Sequence, residues 1–179
     1  MRALACISIF AAALSCFSQG TVNFANGAGG VNAPFCDANG VLLSGSGYLA
    51  QLYVGPSGTS NPLLLTTNGV SGTPTPFATG ASAGYFFGNV RSIAGYTAAT
   101  VVTLQVRVWA TAAGTSWETA PTARGESNLI QVALDGGVTP VPNMVGLQGA
   151  CLVPEPSSAV LSVLGFIAVI VFRTRRRTR

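Results

Sequence analysis

The chain contains no histidine and no lysine, and only five carboxylate side chains among 179 residues. Without histidine, imidazole metal sites and Ser-His or Cys-His nucleophile systems cannot be built. Without lysine, arginine is the sole basic residue, and five of the nine arginines are Arg173, Arg175, Arg176, Arg177 and Arg179 at the extreme C-terminus. From Thr21 to Val153 only Arg91, Arg107 and Arg124 face Asp37, Glu118, Glu126 and Asp135, one negative charge in excess. The formal charge of +4 and pI near 9.2 are therefore properties of the tail. No phosphate-tracking surface is available upstream of it, which excludes nucleic acid as a partner.

Charged residues make up 8% of the chain and apolar ones 49%. That is too hydrophobic for a disordered polypeptide, and the length suits one modest domain with accessory segments. Glu118 and Glu126 flank the loop "TAPTARG", and a carboxylate pair is the minimum for glycoside hydrolysis. The alternative is a solvated loop with an ion pair to Arg124. With so few carboxylates chance proximity is enough, so the expectation is a non-enzymatic protein that needs no cofactor or metal. "DANG" at Asp37 to Gly40 resembles half of a calcium loop but lacks the further oxygen ligands and the closing glutamate, which favours a plain turn.

The N-terminus "MRALACISIFAAALSCFSQG" has a basic start at Arg2, an apolar run from Ala3 to Phe17 and small or polar residues after it. This is the layout of a secretory signal peptide, with cleavage expected after Ser18. A lipoprotein reading would place the acyl group on Cys16, but Ala13 stands where that signal usually has leucine. Removing residues 1–18 also removes Cys6 and Cys16, leaving Cys36 and Cys151 as the only thiols. In an oxidising compartment they are expected to pair; the alternative is two separate buried thiols.

Residues 19–134 read as strands. In "TVVTLQVRVWAT" the residues Val102, Leu104, Val106, Val108 and Ala110 alternate with Thr103, Gln105, Arg107 and Trp109. A period of two marks a half-buried strand. The same pattern groups Tyr48, Ala50, Leu52 and Val54, and again Ile130, Val132 and Leu134. "TVNFA", "AGYFFGNVRSI" and the run Val41 to Leu43 supply three further candidates. Asn39-Gly40, which fits the positive backbone angles of a tight hairpin, and several Pro/Gly clusters separate these segments as turns. The expected fold is all-β, an antiparallel β-sandwich, followed by a Pro/Gly-rich exit segment at 135–152. Trp109 falls on the strand face away from the apolar residues, beside Gln105 and Arg107. There an indole could stack on a sugar ring, which makes a carbohydrate-binding module for exopolysaccharide the alternative function; a loop covering that face, or a place at a sheet edge, is the competing account.

After Val153 stands Pro154-Glu155-Pro156, then an uncharged run from Ser157 to Phe172, then the arginines. Each proline fixes its own φ, and Pro156 also pushes Glu155 away from helical angles, so the triplet is held extended. The uncharged run spans about 24 Å as a helix. That is short of a hydrocarbon core of about 30 Å unless the bilayer thins, yet long enough to be read as a single C-terminal transmembrane helix at 157–172. A buried core helix is the alternative, and five trailing arginines argue against it. They form a stop-transfer cluster that should remain cytoplasmic under the positive-inside rule, placing everything N-terminal on the far side of the inner membrane.

The triplet, span and arginine cluster, at 153–179, resemble the PEP-CTERM sorting signal of Gram-negative bacteria. The resemblance implies that exosortase, a membrane-embedded cysteine peptidase, is the partner and that Pro154, Glu155 and Pro156 form the motif it reads. It also implies a transient anchor in the inner membrane, followed by release or transfer to the cell surface. "QGTVNFAN", "AQLYVGP", "LQVRVW", "GESNL" and "VGLQ" further resemble a group of small secreted surface proteins bearing this signal, whose biochemical role is unknown. Cys36 and Cys151 are not part of that pattern.

Overall fold

The computed structural model describes residues 19–136 and 140–152. The expected signal peptide at 1–18 and the sorting segment at 153–179, with Pro154, Glu155, Pro156 and the terminal arginines, lie outside the described residues. Within them the protein is all-β. Seven strands occur, β1 (Gln19–Ala25), β2 (Gly45–Pro56), β3 (Thr75–Phe77), β4 (Phe87–Thr97), β5 (Val101–Ala110), β6 (Arg124–Glu126) and β7 (Ile130–Ala133). The only helical segments among the described residues are two single 3₁₀ turns, Pro62–Leu64 and Gly80–Ser82. None is long and apolar enough to cross a membrane.

All strand pairs are antiparallel. One sheet is the β1-β4 pair, and the other runs β3-β2-β5-β6, with β7 also on β5. β5 pairs with β2 along its length, from Tyr48↔Ala110 to Pro56↔Val102. Its other edge is shared by β7, at Val101 to Leu104, and β6, at Arg107 to Trp109. The break between β6 and β7 is closed by Ser127, whose hydroxyl accepts the Val106 amide at 2.9 Å while its own amide donates to the Val106 carbonyl at 2.9 Å. A side chain thus takes the place of a missing ladder acceptor.

The two sheets present their apolar sides to one core. Val22, Phe24 and Ile93 come from the β1-β4 pair, and Ala50, Leu52, Val54, Val102, Leu104, Val106, Val108, Ile130 and Val132 from the other sheet. These include the residues that period-two alternation groups together. At one end Phe24, Phe35, Phe77 and Phe86 pack ring against ring, with the closest centroids 4.6 Å apart. Fully buried Asn26 closes that end, donating to the carbonyls of Ala33 and Gly84 at 2.7 and 2.9 Å and accepting the Phe86 amide at 2.6 Å.

Two local expectations change. Val41 to Leu43 is not a strand; it contributes one bridge, Cys36↔Leu42. In the turn before it only Gly40 has positive φ, +79°, so Asn39-Gly40 is not a pair of left-handed residues. Gly40 donates to the Asp37 carbonyl at 3.0 Å, closing a turn that ends in a left-handed glycine.

The segment 140–152 is packed into the domain and is not a loose exit. Asn23 donates through its amide to the Pro142 carbonyl at 2.9 Å and through its side chain to Asn143 Oδ1 at 2.7 Å. Met144, Leu147 and Leu152 are buried in the core cluster. Gly149 passes so close to Pro34 that a Cβ would overlap the Pro34 carbonyl. Proline and glycine here mark an irregular strap over the sheet edges, whose backbone groups are met by Asn23, Asn128 and Cys36.

Candidate functional site

Alternation on β5 sends Thr103, Gln105, Arg107 and Trp109 to the face opposite the core. Period two alone would leave them in solvent, yet their exposures are 0%, 2%, 4% and 0%. Two crossings cover the face. The chain from 57 to 66 crosses it, with the Thr59 amide donating to Thr103 Oγ1 at 3.2 Å, before Thr66 pairs with Val54 at the edge of β2. The chain from 111 to 123 returns over the far end, where Trp109 Nε1 donates to the Gly114 carbonyl at 3.2 Å. Trp109 is therefore roofed by the loop that follows its own strand. This is the covering loop weighed against sugar stacking in the sequence, and the carbohydrate-binding reading loses the residue that motivated it.

Arg107 organises this second layer. Its guanidinium carbon lies 4.1 Å from the Tyr53 ring centroid and 4.4 Å from that of Trp117. Nε donates to Gln105 Oε1 at 3.0 Å and Nη2 to the Pro62 carbonyl at 2.6 Å. A delocalised, weakly hydrated guanidinium suits a slot between rings and carbonyls in a way that a lysine ammonium does not. Arg124 lies 4.5 Å from the same Trp117 ring, so one indole serves two cations. Tyr53 and Trp117 were not singled out in the sequence. The signal for them is weak but present: Leu49, Tyr53 and Trp109 put large apolar groups on the second face of β2 and β5, which a solvated face would not carry.

The two carboxylates singled out in the sequence both come to Arg107. Glu126 Oε2 is 3.8 Å from Arg107 Nε, and Glu118 accepts a short hydrogen bond from the Tyr53 hydroxyl. Burial pushes the Glu118 carboxyl up. The Tyr53 hydroxyl, its own backbone amide, the Ser116 hydroxyl and the Arg107 charge outweigh that and hold it below the ordinary value. A glycosidase general acid requires the opposite, a carboxyl kept protonated near neutral pH. Burial, with Glu118 beside it, pushes the Tyr53 phenol well above its ordinary range. The arrangement is thus an ionised carboxylate, a protonated phenol and a caged cation satisfying one another.

Two other charged groups are similarly engaged. Arg91 donates to the carbonyls of Ser71 and Thr73 at 3.0 and 2.9 Å and to Thr75 Oγ1 at 2.8 Å, and burial lowers its pKa. Asp37 Oδ1 accepts the amides of Asn39 and Val41 at 2.8 and 2.9 Å. The carboxylate of "DANG" is used to close its own turn. Among the described residues no group of three or more carboxylates or cysteines could hold a metal ion.

Cys36 and Cys151 form a disulfide, with Cα atoms 4.3 Å apart across 115 residues of sequence. Flanking backbone bonds run from Cys36 N to Ala150 O at 3.2 Å and from Leu152 N to Cys36 O at 2.8 Å. The strap therefore ends on the 36–43 hairpin. Beside it a shallow hollow is lined by Asp37, Ala38, Asn39, Tyr48, Ala123 and Leu152. No family model, curated protein or solved structure matches this chain.

Proposed function

We propose that this chain is an exported, non-enzymatic surface or extracellular-matrix protein, built as a β-sandwich, anchored transiently in the inner membrane and processed by exosortase near Pro154-Glu155-Pro156. The order of elements in 153–179 carries the proposal: a helix-incompatible acidic triplet, an uncharged run and a terminal arginine cluster. The disulfide favours the same assignment, because such bridges persist in oxidising compartments. The placement of the bridge adds a mechanism. With Leu152 bonded to Cys36, the bridged part of the fold reaches to two residues before the triplet, so a membrane-embedded peptidase would meet Glu155 on a short proline-stiffened stub. Expression in hosts with and without exosortase tests the proposal. Loss of the C-terminal segment only in its presence, abolished by P154A/P156A, is the expected result, and identical processing in both hosts would refute it.

A further inference from the structure

We infer that the hairpin at 36–43 dips into the headgroup region of the bilayer, where Val41 and Leu42, on the arm that follows its turn, make a second lipid contact beside the C-terminal span. This rests on the anchored form proposed above. Val41 and Leu42 are 63% and 45% exposed, adjacent, and at the end of the molecule where the described chain leaves off. The disulfide and the Leu152–Cys36 bond hold that end of the chain against the hairpin that carries them. From Leu152 to Ser157 the chain can extend at most about 17 Å, so the start of the uncharged run cannot lie far from the tip. The one carboxylate of the turn, Asp37, has Oδ1 turned onto the amides of Asn39 and Val41, which lowers but does not remove its cost at an interface.

Strand directions give the tip a consistent orientation. The pairings Gln19↔Thr97 and Val101↔Ala133 lie at one end of the sheets, and Tyr48↔Ala110 lies at the other, beside the exit hollow. The start of the domain is thus at the far end and the hairpin tip at the near end. Two aliphatic side chains alone would bind a membrane feebly, but a tethered pair works at the high effective concentration set by a short stiff linker. The contact would fix the tilt of the domain on its stub.

Full-length protein in vesicles of phosphatidylethanolamine and phosphatidylglycerol, with lipids brominated high in the acyl chains, tests this. V41W should add blue-shifted emission that the bromines quench, whereas A98W, on the exposed turn at the far end, should add emission that they do not quench. In unsubstituted protein, hydroxyl-radical labelling of Val41 and Leu42 should be lower in the vesicles than after proteolytic release from them. Unquenched V41W emission or equal labelling, in protein that resists alkaline carbonate extraction, overturns the hairpin contact and leaves the anchor standing. Extraction by carbonate overturns the anchor and the contact with it. Protection that appears only when exosortase is co-reconstituted overturns the lipid contact in favour of a protein one.

Discussion

Replacing Arg107 with alanine should be among the most damaging single changes in the domain. The substitution empties the slot between Tyr53 and Trp117 and leaves Gln105 Oε1 and the Pro62 carbonyl without their donor. Ring contacts of a desolvated cation contribute about 2 kcal/mol, and each hydrogen bond from a charged donor about 1.5–3 kcal/mol. Their sum overshoots, because the guanidinium regains its hydration in the unfolded chain. The net loss expected from emptying the slot and leaving two acceptors without a donor is about 2–4 kcal/mol. Glu126, 44% exposed in its side chain, adds little, as surface ion pairs do. R107M keeps the length between the rings and should lose clearly less than R107A. Urea titration followed by circular dichroism gives the differences, and an Arg107–Trp117 double-mutant cycle should show about 1–2 kcal/mol of coupling. A loss below about 1 kcal/mol for R107A would refute the reading of this layer as a second packed face.

Three further outcomes follow from the same structure. In C36S/C151S the unfolded chain regains the entropy of a 115-residue loop, about 4–5 kcal/mol in the chain-entropy model; an unchanged urea midpoint would contradict the pinned exit. Raising pH should expose Tyr53. Its folded pKa is raised above the ordinary tyrosine value of about 10, so its contribution is complete below about pH 10 and is lost as pH climbs toward the folded value. Of the four tyrosines one should then ionise only as the protein unfolds in an alkaline spectrophotometric titration, and four simple phenolate titrations would contradict this. For Glu118 the sign is reversed. Its pKa is lowered, so its contribution is present above the ordinary glutamate range and disappears as pH falls through the folded value.

The sequence makes the long strands legible because alternation is local: each of Val102, Leu104, Val106 and Val108 reports its own side of β5. It does not disclose what lies over the other side. Alternation places Trp109 on the correct face, but its burial depends on the chain from 111 to 123 folding back, which is a non-local event. β3 and β6 escape notice for a related reason. Each has three residues, too few to show a period, and Pro76 in β3 speaks against a strand until an edge position is known. The strap at 140–152 reads as a linker because its buried residues, Met144, Leu147 and Leu152, follow no repeat. Asn26 likewise looks like a turn residue, since its three partners are set by loops distant in sequence. The disulfide could be anticipated from chemistry alone, by counting the thiols that remain once the expected signal peptide is set aside.

The central claim is that the C-terminal segment is a temporary address removed near the Pro-Glu-Pro triplet. Intact-mass spectrometry of the protein shed by its native host tests it most directly. The account predicts a mature chain that starts near Gln19, keeps the Cys36–Cys151 bridge and ends close to Pro154-Glu155-Pro156. A shed chain still carrying Arg179 would contradict it.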